Sequence, residues 1–247
     1  MDKYALIGHP ISHSLSPSLF DAAYGGCGTY ELVDNPDFEY CWKRFLEEFS
    51  GINVTAPFKE QALSRADIAH PECAAAGAAN IVKKTERGLE AFNSDFLAVK
   101  SILEEVCPQG GRALAVGFGG AGRAAAAAAA SCGMEVIVCN RDTSKAPGIR
   151  PLADRPQLAG NCKIMIYTLP CGIPQIEDLH CGIVLEANYR DPRLAGMHGI
   201  GRYIPGEEWL YRQALLGYSL LTGEKPDADA LSARILFLKA RTSEKKF

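Results

Sequence analysis

ALAVGFGGAGRAAAAAAASCGMEVIVCNRDTSK, residues 113–145, opens on an apolar run at 113–116, presents Gly117, Gly119 and Gly122 at G-x-G-x-x-G spacing, and continues into alanines too numerous for a strand. The order is strand, tight turn, helix. Gly133 can take the left-handed conformation without a Cβ penalty and so marks the end of the helix. The run EVIVC at 135–139 then reads as a second buried strand. The glycines have separate physical roles: one turns the chain sharply, one lets backbone N–H groups approach a pyrophosphate, and one lets helix and strand pack closely. The phosphates would sit at the positive end of the helix dipole. The glycines alone could be an ordinary turn; with a strand before, a helix after and a second strand beyond, they predict a dinucleotide-binding unit.

The end of the second strand bears on which dinucleotide. NAD sites place an Asp or Glu there, about 20 residues on, to hold the ribose 2′-OH. This chain has Asn140 and Arg141 instead, with Lys145 a turn later. An arginine offers a planar fork of donors to a 2′-phosphate, which predicts NADP. Asp142 would repel that phosphate if it pointed inward, which keeps NAD open, and Arg141 with Lys145 can also be read as a solvated helix start.

The chain has 247 residues, 47% hydrophobic and 22% charged, the composition of a soluble globular protein of one large or two ordinary domains. A net charge of -3 and the lack of any basic run interleaved with aromatics argue against nucleic acid. Lys245 and Lys246 read as a solvated tail. The nine cysteines are odd in number and form no C-x-x-C, and the start MDKYALIGHP lacks the regions of a signal peptide. The expected compartment is therefore reducing, the cytoplasm, and the N-V-T sequon at Asn53 carries no glycan. No apolar run reaches the length of a membrane span, and the five histidines lack metal-ligand spacing, so neither membrane nor metal is expected.

Upstream, YALI at 4–7 reads as a buried strand before the turn-rich GHPISHSLSPSLFDAAY at 8–24. Pro17 suits the first turn of a helix. Hydroxyls just before it have two uses: capping, which would explain Ser16, or donating to the carboxylate of a small substrate with the helix dipole behind them. A strand follows at 30–33, then a helix at 37–49 whose Phe38, Trp42, Phe45 and Phe49 form a core face. A β-rich strand at 52–55 ends at a proline and is followed by Lys59, which stands either at the ligand edge of an α/β sheet or on a helix-start surface. GAANIV at 77–82 enters another strand at Asn80, and a strand at 89–92 has Asn93, Ser94 and Asp95 at its end, so two strand ends would deliver Asn80 and Asp95, polar groups that read hydroxyls. A helix at 96–106 leads through CPQGG, 107–111, the expected domain boundary.

Four motifs in order carry a resemblance: G-H-P-I-S-H-S-L-S-P at 8–17, N-V-T-A-P-F-K at 53–59, G-A-A-N at 77–80 and N-S-D at 93–95. The loop G-F-G-G-A-G-R-A at 117–124, N-R at 140–141, and Gly206 through Gln213 to L-T-G at 221–223 extend it over nearly the whole chain. The sequence resembles the shikimate dehydrogenase family. That resemblance implies reversible NADPH-dependent reduction of 3-dehydroshikimate to shikimate in aromatic amino-acid biosynthesis, by a monomer or homodimer. It implies an α/β fold, with an N-terminal substrate domain and a Rossmann-like NADP domain separated by a cleft. Residues 1–106 would be the substrate domain and 107–226 the NADP domain, with a helix at 227–247 packing back on the first.

By the same resemblance Ser14 and Ser16 would hold the substrate carboxylate, which reverses the local preference for capping. Thr55, Asn80 and Gln213 would bind ring hydroxyls, and Lys59 with Asp95 would be the catalytic pair. Gly119, Gly120 and Ala121, opened by Gly117, would line the pyrophosphate, Asn140, Arg141 and Lys145 the 2′-phosphate side, and Gly206 the nicotinamide. Tyr189 matches a family tyrosine near the substrate and can equally be a core aromatic. Hydride transfer to the C3 ketone leaves charge on oxygen, and a lysine ammonium held by a carboxylate can stabilise that charge and give the proton.

The chain departs from the family's pattern at Phe20 and Asp21, where His-Asn is usual, and at Phe96 and Ala98, where glycines are. Tyr167, Thr168 and Leu169 replace N-A-T near the nicotinamide side. Residues 143–158 leave little room for a full helix. Quinate or NAD as reactants, or a catalytically idle binding relative, are the alternatives to this reading.

Overall fold

The structure is a computed structural model that describes residues 2–26, 28–170 and 179–244, the side chains of 242–244 excepted. Lys245 and Lys246, expected as a solvated tail, lie outside the described residues. The chain divides into two compact units, one of Met1–Ser94 with Gln213–Phe247 and one of Asp95–Arg212.

In the first unit the elements run β1 (Lys3–Gly8), α1 (Ser16–Tyr24), β2 (Thr29–Asp34), α2 (Phe38–Glu48), β3 (Gly51–Val54), α3 (Lys59–Ser64), β4 (Ile68–Ala69), α4 (Pro71–Ala76), β5 (Ile81–Thr85) and β6 (Gly88–Phe92). They form one sheet in the order β2-β1-β3-β5-β6-β4. The helix read from its aromatic spacing is α2: Asp37 caps it by accepting from the Glu39 N–H at 2.9 Å. Its Phe38, Cys41, Trp42 and Phe45 are buried together with Phe49, Ile52 and Val54.

As read from the sequence, Asn80 stands at the entry to a strand: it precedes β5, which pairs antiparallel with both β3 and β6. Because β5 runs backwards, its beginning lies beside the C-terminal ends of its neighbours, with Asn53 opposite Ile81 and Ile81 opposite Phe92. Asn80 thereby reaches the same sheet edge by a different route.

The second unit carries α5 (Ser94–Val106), whose first residue is the last of the first unit, then β7 (Arg112–Val116), α6 (Gly120–Ser131), β8 (Glu135–Asn140), β9 (Arg150–Pro151), α7 (Arg155–Ala159), β10 (Ile164–Tyr167), β11 (Cys181–Glu186), β12 (Ile200–Ile204) and the start of α8 (Gly206–Thr222). The division thus falls at Asp95, so α5 lies in this unit and the 107–111 linker inside it. The sheet runs β12-β11-β10-β7-β8-β9 with every pair parallel. Numbered within the unit this is the 3-2-1-4-5-6 order of the doubly wound dinucleotide fold, whose order reverses between β7 and β10, where ligands bind beyond the strand ends. Between β8 and β9 there is only one 3-10 turn, Thr143–Lys145, in place of a full helix.

The remainder of α8 and α9 (Ala228–Glu244) return to the first unit. There Arg234 Nε donates to Ser18 Oγ on α1 at 2.6 Å, and Leu231 and Ile235 are buried. Among the described residues no helix is long and apolar enough to cross a membrane. The described cysteines are free thiols.

Candidate active site

In the first unit the loop after β1 is held by Asp34 at the end of β2. Its carboxylate accepts from the Ile11 N–H at 3.0 Å and the Ser12 N–H at 2.9 Å, and lies 2.8 Å from His9 Nδ1. These bonds hold the Asp34 carboxyl below the usual range, the Ile11 amide first. The loop so fixed presents Ser14 and Ser16, with Ser14 Oγ donating to Ser16 Oγ at 3.1 Å and accepting from the Ser16 N–H at 3.2 Å. Capping does not account for Ser16. It is the first residue of α1, the N-cap position is Leu15, and no side chain caps the helix. The two hydroxyls therefore converge at a helix N-terminus.

Lys59 opens α3 just past β3 and is half-buried, its carbonyl accepting from the Ala79 N–H at 2.9 Å. Thr55 stands at the end of β3, half-buried, its N–H bonded to the Ile7 carbonyl at 3.0 Å. Asn80 is 4% exposed and grips Ser94: its Nδ2 donates to Ser94 Oγ at 3.0 Å and its Oδ1 accepts from the Ser94 N–H at 2.7 Å. Ser94 Oγ also reaches Gln213 Oε1 at 3.4 Å. Gly217, one turn beyond Gln213, lets α8 lie close here, since a Cβ there would meet Ser94 Oγ at 2.9 Å. The structure thus brings Asn80 and Gln213 together through Ser94, a residue to which sequence reading gives no role beyond its place in N-S-D.

In the second unit Gly117 follows β7 with φ +101°, a conformation that favours glycine, and Gly119 is the N-cap of α6 with no side-chain cap. A Cβ on Gly119 would meet nothing within 4 Å. A helix N-terminus without a side-chain cap, with nothing among the described residues within 4 Å of a Cβ placed on Gly119, fits a pyrophosphate. Thr168, one of the departures from the family's pattern, seals this loop: its Oγ1 donates to the Val116 carbonyl at 2.9 Å.

At the end of β8 Asn140 is buried and its Nδ2 donates to the Asp142 carbonyl at 2.9 Å. Arg141 and Lys145 are exposed. Asp142 caps the turn, Oδ1 accepting from the Ser144 N–H at 3.0 Å and from Ser144 Oγ at 2.6 Å, so its charge is engaged within that turn. The Ser144 hydroxyl and amide hold its carboxyl below the usual range.

Gly206 begins α8 where a Cβ would stand 2.7 Å from the Tyr189 nitrogen and 2.8 Å from the Ala187 carbonyl oxygen. Tyr189 is half-buried with the Arg190 guanidinium 5.7 Å from its ring centroid, so it is not a core aromatic. Its loop is anchored by Glu186, fully buried, which accepts from the Arg193 N–H at 2.7 Å, the Leu194 N–H at 3.1 Å and the Tyr203 hydroxyl at 2.8 Å. Asp95 stands in the first turn of α5, and its Oδ1 accepts from Trp209 Nε1 at 3.1 Å. Sequence reading finds neither Glu186 nor Trp209 as a support: the partner of Trp209 is distant in the chain, and Glu186 clamps an irregular loop that no periodic pattern marks.

Residues 6–82 match the family model described as the shikimate dehydrogenase substrate binding domain. A shikimate dehydrogenase (NADP(+)) of Anaeromyxobacter dehalogenans strain 2CP-1 is 32% identical over 270 residues, 94% of this chain and 96% of that protein. A shikimate 5-dehydrogenase from Thermus thermophilus, solved in complex with NADP(H) and shikimate, matches with a TM-score of 0.83 and 31% identity over 95% of this chain and 98% of that one. A quinate dehydrogenase from Corynebacterium glutamicum in complex with NAD shares the fold, at TM-score 0.81 and 21% identity over 95% of this chain and 98% of that one. At nearly full coverage of both proteins and above 30% identity, the relationship extends beyond fold: this chain belongs to the shikimate dehydrogenase family.

Proposed function

We propose that the chain catalyses the reversible reduction of 3-dehydroshikimate to shikimate with NADPH. The observation that carries this reading is the pair of hydroxyls of Ser14 and Ser16, 3.1 Å apart at the N-terminus of α1, a cradle for the carboxylate of a small cyclic acid. Thr55, Asn80 and Gln213 bind the ring hydroxyls, with Tyr189 against the ring.

The cofactor's pyrophosphate rests on Gly117, Gly119, Gly120 and Ala121. Asn140, Arg141 and Lys145 hold the adenosine 2′-phosphate, and Gly206 leaves room for the nicotinamide. When bound, the nicotinamide supplies the hydride to C3 of the substrate and takes it back in reverse. Lys59, as an ammonium, gives one proton to the C3 oxygen as the ketone becomes an alcohol. Asp95 is its carboxylate partner, which orients it for that transfer. One hydride and one proton added to the ketone give the alcohol, which balances the reduction.

The protein works in the cytoplasm, a reading that the free thiols of the described cysteines support, and as a monomer or homodimer, which sedimentation at micromolar concentration checks. The test of function is reduction of NADP and of NAD by the purified protein, with shikimate and with quinate in parallel. Rapid NADP reduction with shikimate is the expected result. Activity confined to quinate or to NAD reassigns substrate or cofactor, and silence in all four reactions makes the chain a binding relative.

A further inference from the structure

We propose that Trp209 is a positioning residue for the reaction, which fixes the Asp95 carboxylate by donating its indole N–H to one oxygen of that group. The inference rests on the reading of Asp95 as the partner of the proton-donating lysine. Trp209 lies in the first turn of α8 and is 4% exposed. Its Nε1 donates to Asp95 Oδ1 at 3.1 Å.

The chemistry of an indole makes this contact directional. Trp Nε1–H is a donor only and exchanges no proton with a carboxylate, so Oδ1 faces it as an acceptor. The indole thereby occupies one acceptor site of Oδ1 and orients the carboxylate, whose remaining lone pairs stay available to a proton or an ammonium. The last torsion of an aspartate is broad and roughly two-fold, and a fixed donor on one oxygen narrows that choice. The carboxylate is also the natural occupant of its position, the first turn of α5, where the helix dipole favours an anion.

The indole itself is held rigidly. Arg212, three positions further along α8, donates from Nη1 to Ser101 Oγ at 3.0 Å and from Nη2 to Glu105 Oε2 at 2.5 Å, both on α5, and from Nε to Glu208 Oε1 at 2.6 Å. The helix that presents the donor is thus tied to the helix that presents the acceptor, and the Trp209–Asp95 bond is one rung of that contact. A buried indole N–H needs some acceptor in any case. The test must therefore separate an effect on turnover from one on folding.

Trp209→Phe keeps the ring and removes the donor. The expected result is a fall in kcat of about tenfold, with KM for shikimate, the NADP dissociation constant measured by calorimetry and the thermal midpoint nearly unchanged. Trp209→His, assayed well above neutral pH, returns a ring N–H and should recover part of the loss; it also carries the test if the phenylalanine variant folds poorly. Asp95→Asn and the double variant complete the cycle. If Trp209 acts through Asp95, the double variant is no slower than Asp95→Asn alone. An unchanged kcat in Trp209→Phe beside a crippled Asp95→Asn overturns this proposal and leaves the role of Asp95 standing. So do effects that multiply in the double variant, or a loss confined to NADP affinity. Full turnover in Asp95→Asn overturns the role of Asp95 and this proposal with it.

Discussion

A Cβ on Gly122 would stand 2.2 Å from the carbonyl oxygen of Gly117 and 2.7 Å from its carbonyl carbon. The turn after β7 and the first turn of α6 cross at a separation that only a hydrogen on Gly122 permits, and the obstacle is backbone, which cannot swing aside. Gly122→Ala must push the loop away from the helix, at a cost of about 1–3 kcal/mol for overpacking of this kind. We expect a thermal midpoint lower by several degrees and NADP affinity weaker by about tenfold or more, with shikimate affinity in binding titrations unaffected. Unaltered NADP binding in a folded Gly122→Ala variant would remove this loop from the cofactor site.

Lys59→Ala removes the group that gives and takes the proton at the C3 oxygen. General acid catalysis contributes about 10²–10⁴ to rate, so kcat should fall by that factor while KM for shikimate stays within a few-fold. Equal losses in affinity and turnover would make Lys59 a binding residue only.

The parts of the fold that are legible in the sequence are those whose logic is local. Gly117, Gly119 and Gly122 announce a strand-turn-helix within a few residues, and the aromatic face of α2 repeats at helical spacing. Asn80 is recognisable as a site residue at the entry to a strand, but the antiparallel course of β5 is not, because hydrophobic alternation does not say which way a strand runs. The short elements β4, β9, α3, α4 and α7 offer too few residues for any period to show. The supports are the least legible: Trp209 meets Asp95 across 114 positions of chain and Ser94 meets Gln213 across 119, contacts that no local pattern encodes. Asp34, one residue past the strand read at 30–33, shows itself only in three dimensions as the clamp on the Ile11 and Ser12 amides.

Arg141 tests the cofactor assignment. Its guanidinium is exposed at the end of β8, while the neighbouring Asp142 carboxylate is occupied by Ser144. A charge-assisted contact to the 2′-phosphate is worth about 1.5–3 kcal/mol, so Arg141→Ala should raise KM for NADP by about 10- to 100-fold and leave the rate with NAD, whatever its level, unchanged. A parallel loss with both dinucleotides would place Arg141 against the part of the cofactor they share.

Glu90 sets an acid limit on the first unit. Its buried carboxylate lies 3.1 Å from His70 Nε2 and accepts from Thr85 Oγ1 at 2.8 Å and from Arg87 Nη2 at 2.9 Å. These bonds, that with His70 first, push its carboxyl down from the ordinary 4.5 to about 2. A group whose folded value is depressed contributes stability that is complete above its unfolded value and is lost as pH falls through the folded one. The contribution of Glu90 is therefore whole at neutral pH, declines below about 4.5 and is gone near 2. Glu90→Gln keeps the shape of the side chain but not the charge, so it should melt below the parent at pH 7, with the gap between the two midpoints closing as the pH is lowered from 5 to 3. A gap that stays constant over that range would mean that the amide's altered hydrogen bonding, not the carboxylate's charge, accounts for the difference.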